Sequence, residues 1–170
     1  MDVNEQIVRA WLETQCFLVK SRLRYKVNRG WSDIDLIALR LHDSKRVAVD
    51  ISAWMTESIT FSYVKDPKSD TFYRLFKSNS KDARSAIRKE FGVHNDNQYE
   101  LWLVVSYVSA TQREQVLTEC LKYVDRVIDF PEIMKDLVNY ISGNANRTYD
   151  SEALQTIRAL VLCGILGTSE

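Results

Sequence analysis

Hydrophobic and polar positions divide this chain into short segments whose periods differ. Residues 3–18 place Val3, Ile7, Ala10, Trp11, Cys16 and Leu18 near helical spacing, with Asp2 or Asn4 available as N-cap, and predict a first helix whose more polar side carries Glu5 and Glu13. Residues 17–27 then alternate. Phe17, Val19, Leu23, Tyr25 and Val27 face one way and Lys20, Arg22, Arg24 and Lys26 the other, as in a half-buried strand. After the turn Asn28-Arg29-Gly30 come two apolar runs, 34–39 and 47–51, separated by the polar stretch His42-Asp43-Ser44-Lys45. Both are too short for helices and rich in β-branched residues, so they predict a hairpin. Trp31 and Trp54 bracket it and are expected in core or rim packing.

Further along, residues 55–70 read as a loop. A helix is expected from Asp70 or Thr71 through Phe91, with Phe72, Phe76, Ala83, Ala86, Ile87 and Phe91 as its buried stripe. Gly92 is placed to end it. Residues 99–108 predict a buried fourth strand, 111–123 a helix, 126–128 a short strand, and 131–141 a helix with Pro131 in its first turn. The loop 142–146 is the best linker, and divides a domain over 1–142 from a C-terminal segment, 143–170. There the helix expected over 151–165 is apolar on much of its surface, which implies packing on the domain or on a second copy as a homodimer.

The hairpin carries the chemistry. Asp35 lies within the first apolar run and Asp50 within the second. With the turn near 42–44, paired positions sum to about 85 to 87; an odd sum sets the two carboxylates on one face, opposite or diagonal, and an even sum separates them. Two like charges buried side by side are costly unless a cation lies between them, and a divalent metal would serve. Asp33 shares that face as an outer acid or as an exposed strand start.

The order Glu5, then Asp35 in D-I-D-L-I-A, then Asp50 in V-A-V-D-I-S resembles the PD-(D/E)xK nuclease superfamily over roughly residues 1–110, in the style of Holliday-junction resolvases and Mrr-like restriction enzymes. The resemblance implies an α/β fold with an α-β-β-β-α-β core, a mixed central sheet flanked by helices, and C-terminal helices added. It implies DNA as substrate and Mg²⁺ or Mn²⁺ held by Asp35, Asp50, the Ile51 carbonyl and Glu5. Glu5 has a second reading, as an acid favoured by the helix N-terminus. The family's Lys, two residues after the second acid, is Ser52 here. Ser52 can hydrogen-bond a water but brings no charge, so a cation from Lys45, Lys65 or the basic helix would have to replace it. Asp at position 50 is also one methylene shorter than the Glu common there. If catalysis has been lost, the resemblance leaves a nucleic-acid-binding or protein-interaction module.

Composition narrows the rest. The 170 residues are 45% hydrophobic and 27% charged with two prolines, enough for one cored domain and unlike a disordered chain. No run of 18 apolar residues and no signal peptide is present, so a soluble cytoplasmic protein without membrane contact is expected. Cys16, Cys120 and Cys163 are odd in number and far apart, and read as buried thiols. His42 and His94 fall in a turn and a loop and support neither a triad nor a histidine metal site. No Gly-rich phosphate loop, G-x-S-x-G, C-x-x-C or H-E-x-x-H occurs.

Net charge is zero but polarised. Residues 18–30 carry five cations and no acid, 60–91 a net +4, and 112–152 a net −3. Arg74, Lys77, Lys81, Arg84 and Arg88 would fall within about 80° on one continuous helix. With Arg22 and Arg24 they form a candidate phosphate-binding face. The alternatives are a solvated helix side and a strand edge blunted by cations.

Overall fold

A computed structural model describes residues 2–28, 30–53, 58–144, 148–163 and 165–166. Arg29, Trp54 and the linker residues 145–147 lie outside them. Helix α1 (Val3–Thr14) leads into β1 (Phe17–Val27), β2 (Gly30–Arg40) and β3 (Lys45–Ser52). A crossover follows through α2 (Phe61–Val64), α3 (Asp70–Leu75) and α4 (Lys81–Phe91) to β4 (Glu100–Val105). Then come α5 (Arg113–Cys120), β5 (Arg126–Asp129), α6 (Phe130–Gly143) and α7 (Glu152–Leu162). The five strands form one mixed sheet in the order β1-β2-β3-β4-β5, antiparallel through β3 and parallel from β3 to β5. This is an α/β protein in the order α-β-β-β-α-β with helices appended. Among the described residues no helix is long and apolar enough to cross a membrane.

Alternation in β3 and β4 sorts the core. Val47, Val49, Trp102 and Val104 pack with α1, α6 and α7, whereas Ala48, Leu101, Leu103 and Val105 pack with α3, α4 and α5. Leu154 and Ile157 of α7 join the first cluster, so that helix covers its own domain. Its distal Leu162 and the following Ile165 remain exposed.

Several boundaries differ from the sequence reading. Helix α1 stops at Thr14 rather than running to 18, because Cys16 turns left-handed (φ 65°) and Phe17 enters the sheet. Asp2 caps it, its Oδ1 accepting Glu5 N–H at 2.8 Å. The 55–70 loop contains α2, and Ile59 bridges to Val108. Cys16 and Cys163 are exposed, and only Cys120 is a buried thiol. Both histidines are exposed as expected.

Strand β1 does not keep one face. Phe17 and Val19 pack in the α1–α6–α7 cluster, but Leu23, Tyr25 and Val27 pack in the other. The change falls at Arg22, which sits in mid-strand with φ 55°. The β1–β2 pairing keeps one register on both sides of it (Ser21–Leu36, Leu23–Ile34), so the ribbon is kinked without an inserted residue. A left-handed non-glycine costs about 1–2 kcal/mol, so it persists only where its surroundings impose it. Asp35 lies opposite this point.

The largest correction concerns the helix expected from 70 or 71 to 91. It breaks after Leu75 into a 3-10 turn (Lys77–Asn79) and restarts at Lys81, where extended Ser80 caps α4 by accepting Ala83 N–H at 3.3 Å. Ser78, Asn79 and Ser80 favour turns and caps over helix interiors, since their side chains compete for main-chain groups. Phe72, Phe76, Ala83 and Ile87 are still buried as the stripe requires, whereas Ala86 and Phe91 are half-buried. The break decides the site.

Candidate active site

The hairpin register falls within the range the turn length allows, at one of its odd values. Leu36 pairs with Val49 and Arg40 with Lys45, so each pair sums to 85. The ladder ends at Leu36–Val49. One step further Asp35 faces Asp50, on the side of the sheet that carries Ala48 and packs on α3 and α4. There a side chain takes over from the main chain, and Asp35 Oδ2 accepts Ile51 N–H at 2.7 Å.

The broken helix supplies what the hairpin lacks. Lys77 Nζ lies 2.7 Å from Asp35 Oδ1 and 3.9 Å from Asp33 Oδ1, with the lysine side chain only 18% exposed. Ser78 N–H, which a continuous helix would commit to the carbonyl four residues back, instead donates to Asp50 Oδ2 at 2.9 Å. The Lys77 carbonyl accepts Ser80 N–H at 3.3 Å, closing the turn, and also the Tyr25 hydroxyl at 3.4 Å. Unwinding one turn thus delivers an ammonium to one carboxylate and an amide to the other. Lys77 belongs to the predicted basic ridge, but it points at the acid pair instead of at solvent.

Asp50 is fully buried. Burial drives its pKa up to about 7, against the opposing pull of Lys77 and Ser78. Burial pulls the Lys77 pKa down, but Asp35, Asp50 and Asp33 outweigh it and hold it above the usual lysine value. The ammonium is therefore retained.

Glu5, read from sequence as lying on the polar side of α1, is buried at 8% exposure. Burial raises its pKa, Asp2 and Asp35 add to that, and Arg22 opposes it with its Nε 3.8 Å from Oε2. The first helix does bring a third acid toward the pair. Ser52 falls two residues beyond Asp50, on the same side of β3 and half-buried.

Asp50 Oδ1 and Glu5 Oε2 are buried oxygens without a hydrogen-bond donor among the described residues. Bare carboxylate oxygens are hard donors that suit Mg²⁺ or Mn²⁺. Among the described residues no three His, Cys, Asp or Glu side chains gather closely enough to hold a metal by themselves. The set fits the way Mg²⁺ usually binds proteins, through one or two carboxylates with waters completing the shell. Asp35, Asp50 and the Ile51 carbonyl are the donors that could hold it, with Glu5 beyond.

The remaining cations do not form the expected ridge. Arg84 donates to the Asn79 side chain at 3.0 Å and lies 3.3 Å from Asp96, and Arg88 also pairs with Asp96. Both are spent in tying α4 to the loop after it. Arg74 and Lys81 are exposed and form no ion pair among the described residues. On β1, Lys20 pairs with Glu90 at 2.6 Å, so its basic face is not free of acids, and Arg24 lies over the Trp31 ring at 5.6 Å. Sequence reasoning offered Lys45, Lys65 or the basic helix as the source of a compensating cation without singling out Lys77, and it missed Ser78 altogether. The Ser-Asn-Ser run was the available signal for a chain break. The chain matches no family model, no curated protein and no solved structure.

Proposed function

We propose that this protein is a PD-(D/E)xK-like, metal-dependent endonuclease that hydrolyses DNA phosphodiesters, with Lys77 in the role of the lysine that Ser52 replaces. The observation that carries this reading is the 2.7 Å contact of Lys77 with Asp35, beside Asp50 on the same hairpin face. Mg²⁺ or Mn²⁺, when bound by Asp35, Asp50 and the Ile51 carbonyl, supplies a Lewis acid and a water of lowered pKa. The chain's own part is electrostatic. Lys77 keeps a positive charge in a poorly hydrated site, where it orients a water and offsets charge developing on the phosphate. Ser78 N–H holds Asp50 in place, Ile51 N–H does the same for Asp35, and Glu5 adds negative potential for a cation. Arg22, Arg24, Arg74 and Lys81 are the exposed cations available to phosphates. DNA is the partner, and the cytoplasm the compartment, that this reading implies.

Incubation with supercoiled, branched and single-stranded DNA plus Mg²⁺ or Mn²⁺ tests it. Cleavage should vanish in Asp35→Ala and fall by about 10²–10³ in Lys77→Met. Restoring a lysine in family position, as Ser52→Lys in the Lys77→Met background, should recover part of that loss. Cleavage that survives Asp35→Ala belongs to a contaminant, and cleavage indifferent to Lys77→Met removes its assigned role.

A second reading has its own support. Both oxygens of Asp35 are already engaged, by Lys77 and by Ile51 N–H, so the pair is neutralised in part without a metal. A nuclease fold that has lost catalysis and binds nucleic acid or a protein would look this way. It predicts salt-sensitive binding without metal-dependent turnover.

A further inference from the structure

The half of the β1–β2 hairpin beyond Arg22 projects a second, unassigned surface. Trp31, expected in packing, is 65% exposed. It pairs across the hairpin with Lys26, and Arg24 pairs with Asp33, so Trp31, Lys26, Arg24 and Asp33 share one side of the ribbon. Tyr25 and Ser32 form the pair between them and face the other way, where Tyr25 is buried. Arg24 lies over the Trp31 ring, and neither Arg24 nor Lys26 forms an ion pair among the described residues. Trp31, with the Arg24 guanidinium over its ring and Lys26 beside it, belongs to neither core cluster of the described residues.

We propose that this hairpin end is a single-strand-binding finger, on which Trp31 stacks an unpaired base while Arg24 and Lys26 hold the flanking phosphates. The inference rests on the nucleic-acid reading of the Asp35–Asp50 site and narrows its substrate to DNA with unpaired nucleotides near the scissile bond. Stacking on an exposed aromatic is available to any base once it is unpaired, whereas a duplex hides its base faces. Charge complementarity favours a polyanion, since residues 22–33 carry four cations, Arg22, Arg24, Lys26 and Arg29, against the single acid Asp33. Spacing agrees. Trp31 precedes Asp35 by four strand residues, about 13 Å, or about four nucleotides of a stacked strand.

The test uses the full chain in EDTA, which separates binding from cleavage. Fluorescein-labelled oligo(dT) of about 20 nucleotides and a duplex of matching length are titrated against wild type, Trp31→Phe and Trp31→Ala. Trp31→Ala should weaken oligo(dT) binding about tenfold and duplex binding less than about twofold, with Trp31→Phe between them. Oligo(dT) should also quench the tryptophan emission of wild type, and Trp31→Phe should abolish that quench. Equal weakening of both DNAs, a quench that persists in Trp31→Phe, or no binding of oligo(dT) by wild type overturns the finger. Trp31-dependent binding without any Mg²⁺- or Mn²⁺-dependent cleavage keeps the finger and overturns the nuclease. Cleavage that ignores Trp31 does the reverse.

Discussion

Replacing Lys77 by Met removes the one side-chain cation that, among the described residues, contacts Asp35, while keeping the bulk and length of the stem. In the folded protein Asp35 and Lys77 are both largely buried, with side chains 11% and 18% exposed, so solvent does little to screen the pair. Removing one partner of such a pair typically costs about 3–5 kcal/mol. The penalty has a ceiling, because a carboxylate that is too costly to keep ionised takes a proton instead. Protonating a carboxyl of ordinary pKa costs about 4 kcal/mol at pH 7 but only about 1.5 kcal/mol at pH 5. Lys77→Met should therefore lose about 3–4 kcal/mol near pH 7.5 and less than about 2 near pH 5. Urea denaturation followed by circular dichroism at both pH values measures this, read as a shift in midpoint at constant slope. An equal loss at the two pH values, or a loss under about 1 kcal/mol near pH 7.5, would refute the view that Lys77 neutralises a buried acid pair.

Asp50 gives a pH dependence of defined sign. Its folded pKa of about 7 lies above its ordinary value, so its contribution is complete below about pH 4 and is lost as pH rises through about 7. The whole swing is on the order of 4 kcal/mol, and Asp50→Asn, which keeps an acceptor for Ser78 N–H, should flatten it in urea melts across that window. If the variant's melts keep the wild-type slope with pH, the titrating group lies elsewhere. Excess MgCl₂ should raise Tm near pH 8 through the bare carboxylate oxygens, by about 2.7 kcal/mol of stability at a hundredfold over Kd. Asp35→Asn and Asp50→Asn should each abolish that shift in differential scanning fluorimetry, and an unchanged wild-type Tm would favour the non-catalytic reading. Gly92 ends α4 with φ 63° in open space, where an added Cβ meets nothing within 4 Å. Gly92→Ala should therefore cost only the left-handed strain, about 1 kcal/mol or about 2–4 °C in Tm, and a larger drop would point to an unseen clash.

The hairpin was legible because its information is local. Alternation and turn length in residues 30–52 narrow the register to a few values, and the odd one that the structure adopts, with pairs summing to 85, sets Asp35 opposite Asp50. Strand β1 was found to the residue for the same reason, although its constant face was not, since the kink at Arg22 answers to what lies beside it. The helix over 70–91 failed most instructively. Its apolar period is genuine, and Phe72, Phe76, Ala83 and Ile87 are buried as that period demands. Yet the buried Asp50, nearly thirty residues upstream, draws the Ser78 amide out of the helical pattern, and no window over 70–91 contains that acid.

What the sequence by itself determined is therefore the sheet's inner hairpin, the acid pair it carries, and the α/β order of elements around them. Only the tertiary structure decided which cation meets that pair, that Glu5 is buried near it, and that Trp31 faces solvent. The physical reason is one of range. Periodicity reports what a segment does against a generic apolar surface, whereas a buried charge selects its partner by position in space, across any distance along the chain.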